Sequence, residues 1–325
     1  MTTMRDAPVG ARAGAGSPPL VPSEHGGRPG RGSRATRQTW VEASPFSQAV
    51  SLLLAMVSVV IIFLLANLVV VSQVQHYAGQ ANLFSELRLS LAEGSAPVQP
   101  TGVDGQIVSP GTPVAVMFAP VVGVSREVIV EGTSSGQTMI GAGHRRDTVL
   151  PCQVGASVVM ARSGGYGGVG SAWAKLTPGD EFTVTTGQGS CTYTVRGQRM
   201  AGDDAPAAPT GRQGRITLTT AYGVPFMPTE VLRIDADLTS DAFDRPVTAF
   251  PPGSLPESEA AMGVDTSNLF ALVLLLELLI AVAIGATYLW RRWGKWHTWI
   301  VVAPVAVTTG LLTATSINYL LPNLL

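Results

Sequence analysis

Residues 215–226 read RITLTTAYGVPF. The first six, Arg215 to Thr220, are short on turn formers and rich in β-branched side chains, which is the composition of a β-strand. The strand is expected to end in the two threonines, as a strand does when it delivers a nucleophile. The next residue is Ala221, whose methyl group has no chemistry. The position belongs either to a disabled enzyme or to a domain that never was one, and the surrounding chain decides between them.

Outward from this stretch, residues 114–119 (VAVMFA), 127–132 (EVIVEG), 157–162 (SVVMAR), 181–186 (EFTVTT), 191–199 (CTYTVRGQR) and 231–238 (VLRIDADL) have the same character, with Gly, Pro, Asp or Asn between them. Pro178 and Gly179 set a turn directly before 181–186. Seven or eight such strands with few helical stretches predict an all-β domain over residues 114–240, a sandwich or a closed barrel.

The two cysteines, Cys152 and Cys191, both fall in this domain. If the domain lies outside the membrane, in an oxidising compartment, the pair reads first as a disulfide. Closing a loop of that size stabilises a fold by about 4 kcal/mol in the chain-entropy model. Two free thiols, or a reactive Cys152 served by His144, are the alternatives.

The chain around the domain is apolar. Of 325 residues 46% are hydrophobic and only 13% charged, so an apolar surplus must be concentrated somewhere. It sits in three runs, 50–74, 269–290 and 300–321, each long enough for the about 20 residues that cross a ~30 Å hydrocarbon layer. The second run carries one carboxylate, Glu277, and the third has Pro304 near its start. A carboxylate within a span costs roughly 2–3 kcal/mol and seeks a partner. Asn67 and Ser58 of the first run are candidates, as is a residue of another protein.

Arginines 5, 12, 28, 31, 34 and 37 precede the first run, and Arg291, Arg292 and Lys295 lie between the second and third. The positive-inside rule places both segments in the cytoplasm. Trp290, Trp293, Trp296 and Trp299 around the second segment suit an interfacial belt. Residues 1–45, rich in Gly, Pro, Arg and Ser, read as a disordered cytoplasmic tail. The segment from His76 to Ser267 then faces outward at the plasma membrane. It carries 12 Lys and Arg against 18 Asp and Glu, a net charge of −6 that does not suit nucleic acid. Within it, 76–93 reads as a juxtamembrane helix with Leu83, Leu87 and Leu91 on one face. Residues 94–113 and 241–266 read as linkers.

The order of these segments is what becomes recognisable. VEGTSSGQTMIGAGHRRDTVLPCQVGASVVMARSGGYGG (130–168), then WAKLTPGDEFTVTTGQGSCTYTVRG (173–197), then GRITLTTAYG (214–223) and VLRIDADL (231–238) resemble a sortase, most closely the class E type. The likeness covers residues 112–238. It implies a membrane-anchored cysteine transpeptidase fold, an eight-stranded β-barrel, and a sorting-type peptide or cell-envelope protein as partner. The chemistry of that family needs a thiolate, a histidine that exchanges protons, and an arginine for the oxyanion.

Residue by residue, the resemblance puts the family's histidine at Ser163, its cysteine at Ala221 and its arginine at Val231. Arg233 is on the same face as Val231, about 6.6 Å along the strand, and is a possible residual arginine. Hydroxyls at Ser163, Thr219 and Thr220 are inert without an adjacent base. Tyr166 and Trp173 flank a Gly-rich loop as possible hydrophobic anchors for a bound peptide, with Thr219 and Thr220 beside them. Three functions follow as expectations: a catalytically inactive sortase-like binding protein, an active transpeptidase with relocated residues, or a structural subunit of a membrane complex. No phosphate-binding loop, metal-ligand spacing or carboxylate pair stands out, and the reading assigns no cofactor and no metal.

Overall fold

A computed structural model describes residues 45–102, 105–224, 226–245 and 250–325. The tail expected over 1–45 lies outside them but for its last residue.

Eight strands form the barrel: β1 (Pro113–Ala119), β2 (Val124–Glu131), β3 (Ala142–His144), β4 (Gly155–Met160), β5 (Glu181–Thr186), β6 (Gly189–Met200), β7 (Gly214–Val224) and β8 (Met227–Leu238). They close in the order β1-β2-β3-β4-β7-β8-β6-β5. The expected all-β, eight-stranded β-barrel is therefore present. Closure leaves no sheet edge to be capped. Two pairings, β2 with β3 and β4 with β7, are parallel, and the rest are antiparallel.

Seven of the strands were legible as runs of β-branched residues. The eighth, β3, is only Ala-Gly-His, too short and too poor in β-branched residues to read as a strand. Its pairing explains the composition. A Cβ on Gly143 would stand 2.3 Å from the Gly132 carbonyl oxygen, so the close parallel approach to β2 admits no side chain there.

The opening stretch also differs from its expected boundary. β7 does not stop at Thr220; it runs on to Val224, with Ala221 opposite Val231 and Tyr222 opposite Glu230 on β8. Ile216 and Leu218 belong to the barrel core with Leu232, Ile234, Val159, Phe182, Tyr193 and Trp173. Thr217, Thr219 and Ala221 alternate with them and belong to the outer face.

The disulfide joins Cys152, in the turn before β4, to Cys191 on β6, with Cα atoms 5.7 Å apart. The Cys152 backbone N–H donates to the Tyr193 hydroxyl at 2.7 Å inside the barrel. Burial pushes the Tyr193 phenol up, which keeps it neutral and able to accept this bond.

Helices α1 (Pro45–Ala66) and α2 (Ser72–Glu93) are continuous through a π-helical turn at Asn67–Val71. The juxtamembrane helix is thus the outer part of the first long helix. Its Leu83 and Leu87 pack on Val116, Val128 and Val130 of β1 and β2, while Leu91 is exposed. Short helices α3 (Ser135–Ile140) and α4 (Val169–Trp173) connect strands. Helices α5 (Leu269–Trp293) and α6 (Lys295–Tyr319) meet at Gly294. Three helices, Val57–Glu93, Leu269–Trp293 and Lys295–Tyr319, are long and apolar enough to cross a membrane.

The second linker is not a free tether. Phe243 bridges to Gln153, Thr133 Oγ1 donates to the Glu259 carbonyl at 2.7 Å, and Arg146 Nε donates to Glu259 Oε2 at 3.0 Å. Its described part is docked on the barrel by buried polar contacts, which a composition rich in Pro and Ser did not announce.

Candidate functional site

β4 and β7 run side by side, Met160 opposite Thr219, and β8 follows with Val231 opposite Ala221 and Arg233 opposite Thr219. The fold therefore brings Ser163, Thr219, Ala221, Val231 and Arg233 to one outer cleft, at the ends of three adjacent strands.

The cleft is filled from within the chain. Leu324, fully buried, packs with Met160 and Ala221, and Val158, Val231, Ala261 and Met262 surround the three. Ser163 gives its backbone N–H to the Leu324 carbonyl at 2.9 Å and its hydroxyl to the same oxygen at 3.2 Å. The Ser163 hydroxyl is thereby engaged with a carbonyl oxygen. Thr219 is buried on the same face. Thr220 points the other way, into the barrel, where its Oγ1 meets Gly170 of α4; a Cβ at Gly170 would lie 1.9 Å from that oxygen.

Neither buried histidine serves this cleft. His144 places Nδ1 2.9 Å from Glu131 Oε2 and Nε2 2.9 Å from the Val149 carbonyl, so both ring nitrogens are occupied. Burial opposes its charge most strongly, but Glu131, the Val149 carbonyl and Asp147 together lift the His144 pKa above its ordinary value. His76 on α2 faces Glu127, 3.4 Å away. Burial raises the Glu127 pKa even though His76 opposes it. Gln80 and the Ala142 N–H donate to the same carboxyl group, which ties α2 and β3 to β2. A cavity of about 600 Å³ beside this pair is lined by His76, Gln80, Phe84, Arg126, Glu127 and Gly167, and by none of the cleft residues.

Arg233 is half-buried. Burial and the neighbouring Arg199 guanidinium lower its pKa, against the pull of Asp235. Asp235 itself is taken by Arg199 Nε at 2.7 Å and by the Thr217 hydroxyl at 2.6 Å. The proposed anchors Tyr166 and Trp173 are both buried. Trp173 lies in the barrel core, and the Tyr166 hydroxyl accepts from Asn318 Nδ2 at 2.9 Å. Neither ring is presented to an outside ligand.

Sequence reasoning missed Arg162, which is 2% exposed. Its Nη2 donates to Ser135 Oγ at 2.6 Å and its Nη1 to the Leu325 carbonyl at 3.3 Å, with the Tyr166 ring 5.3 Å beneath the guanidinium. Among the described residues no Asp or Glu side chain pairs with it, and burial pulls its pKa down to about 10. An arginine closing an apolar strand was the available signal. Asn318, in the last turn of α6, and Asn323, just after that helix, were also passed over. Asn67, considered as a partner for Glu277, instead donates to Thr315 Oγ1 at 3.1 Å and accepts from Asn318 at 2.7 Å. Ser58 donates to its own helix at Leu54. Glu277 is exposed on α5. Among the described residues no group of three His, Cys, Asp or Glu is placed to hold a metal ion.

No family model and no curated protein matches the chain. Solved structures similar to it are sortases. A sortase D5 transpeptidase of Clostridium perfringens shares 17% identity over 50% of this chain and 99% of its own, with a TM-score of 0.42. Sortase C of the same organism, with the C-terminal cell wall sorting motif, shares 20% over 50% of this chain and 89% of its own, TM-score 0.37. A lid mutant of sortase A from Corynebacterium diphtheriae shares 18% over 50% and 95%, TM-score 0.37.

Proposed function

We propose that this chain is a membrane-anchored protein with a sortase-type barrel, class E-like in sequence order, that binds a peptide or protein partner at the cell envelope and catalyses no transpeptidation. The reading is carried by the sequence resemblance, which puts Ala221 on β7 in the nucleophile's place and Ser163, just beyond β4, in the histidine's. Both thiols of the chain are spent in one disulfide, so relocated thiol chemistry through Cys152 or Cys191 has no nucleophile. Loss of a nucleophile or its base alone costs on the order of a million-fold in a well-studied hydrolase. The arginines before α1 and between α5 and α6 support a cytoplasmic N-terminal side and an outward barrel.

The test is a pull-down from cell-envelope extracts with the full chain in nanodiscs. A specific peptide or protein partner, recovered intact, supports the reading; no specific partner counts against it.

A second reading rests on Glu277. It is exposed on an apolar helix, and no hydrogen bond or ion pair reaches it among the described residues, which suits a contact with another membrane protein and a role as a complex subunit. Glu277→Gln with unchanged assembly would remove that support.

A further inference from the structure

The chain segment after α6 enters the outer cleft through a bend and a turn, held at each residue that matters. Ser135 Oγ donates to the Leu321 carbonyl at 3.1 Å. Asn323 gives its backbone N–H to the Gly263 carbonyl at 3.0 Å, and its side-chain amide to the carbonyls of Thr133 and Ala260 at 2.6 and 2.8 Å. Leu324 fills the pocket of Met160 and Ala221 while its carbonyl takes both donors of Ser163. Leu325 returns its N–H to the Pro322 carbonyl at 3.0 Å and offers its own carbonyl to Arg162.

These are the contacts of a bound peptide. One leucine side chain supplies apolar anchorage, one asparagine amide supplies side-chain recognition, and the rest is main-chain hydrogen bonding. The segment is moored at its α6 end, where Asn318 donates to Asn67 and Tyr166, so a released segment stays close to the cleft.

We propose that Leu321–Leu325 is a tethered ligand of the cleft, in competition with an external extended peptide that offers a leucine to the Met160–Ala221–Val231 pocket and a carbonyl to Ser163. The proposal rests on the barrel being a peptide-binding module. A short tether gives an effective concentration of about 1 mM. If the detached peptide binds the open cleft with a Kd of about 10 μM, the tether weakens an identical outside peptide about 100-fold.

The test uses the full chain in nanodiscs. Ala221→Cys places a thiol at the floor of the cleft, and its maleimide labelling rate is compared with and without Leu324→Gly. In parallel, binding of a fluorescein-labelled LLPNLL peptide, the sequence of residues 320–325, is measured for the native chain and Leu324→Gly. Asn323→Ala, which keeps the apolar anchor, provides the same readouts should Leu324→Gly fail to fold. The expected result is labelling at least tenfold faster and peptide binding about 100-fold tighter once the segment is weakened. Equal labelling rates in native and weakened backgrounds would overturn the proposal, since the segment would not be the cover. Faster labelling without peptide binding would instead overturn the peptide-binding reading beneath it.

Discussion

The inner and outer faces of the β4–β7–β8 wall are both shielded from water, but by different partners. Inside, Ile216, Leu218, Leu232 and Ile234 are buried by other strands of the same barrel and by Trp173. Outside, Ala221 and Met160 are buried by Leu324, with Ala261 and Met262 beside it, from segments that lie beyond the last strand. The inner face is a folding core. The outer face is a cleft that the chain has covered with its own later residues, and a cover of that kind is removable where a core is not.

The comparison predicts unequal costs. Trp173→Ala, in the core, should lower stability by about 3–5 kcal/mol in urea unfolding, and a loss under 1 kcal/mol would show that the interior is not the main source of stability. Opening the bridge with Cys152→Ser and Cys191→Ser should cost about 2–4 kcal/mol, read as a lower unfolding midpoint in non-reducing buffer. Leu324→Ala should cost about 2 kcal/mol and leave near-ultraviolet circular dichroism from the buried core unchanged. Were it to melt the barrel outright, the distinction between core and cover would fail.

The smallest effect is a pH slope from the buried pairs on β2 and β3. The His144 pKa is raised, so the native state holds its proton where the unfolded chain has released it. The stabilisation it brings is fully present below pH ~6.5 and is lost as pH rises through the native pKa. Glu127, also raised, acts in the same direction above its ordinary carboxylate range. Stability should therefore fall as pH rises through neutrality, and His144→Gln should flatten that slope; a slope unchanged in the variant would remove His144 as its source.

The same contrast explains what was readable beforehand. Strands β1, β2, β4 and β5 to β8 announce themselves through local β-branched composition, and the cysteine pair through its compartment. The three-residue β3 has no such signature, because its glycine answers to a neighbour's carbonyl. Ser163 and Ala221 were placed by segment order. Their cover was not, because nothing local in Ala261, Met262 or Leu324 marks them as partners of a strand more than a hundred residues away in the case of Leu324 and Met160. Tyr166 and Trp173 looked like ligand anchors because an aromatic beside glycines reads the same whether it faces a ligand or a core.

The most direct test of the central claim, that the cleft at Ser163 and Ala221 performs no acyl transfer, is mass spectrometry of the full chain in nanodiscs incubated with a peptide carrying a cell-wall sorting motif. The expected spectrum contains intact peptide and protein of unchanged mass. Cleaved peptide, or protein heavier by an acyl fragment, would contradict it.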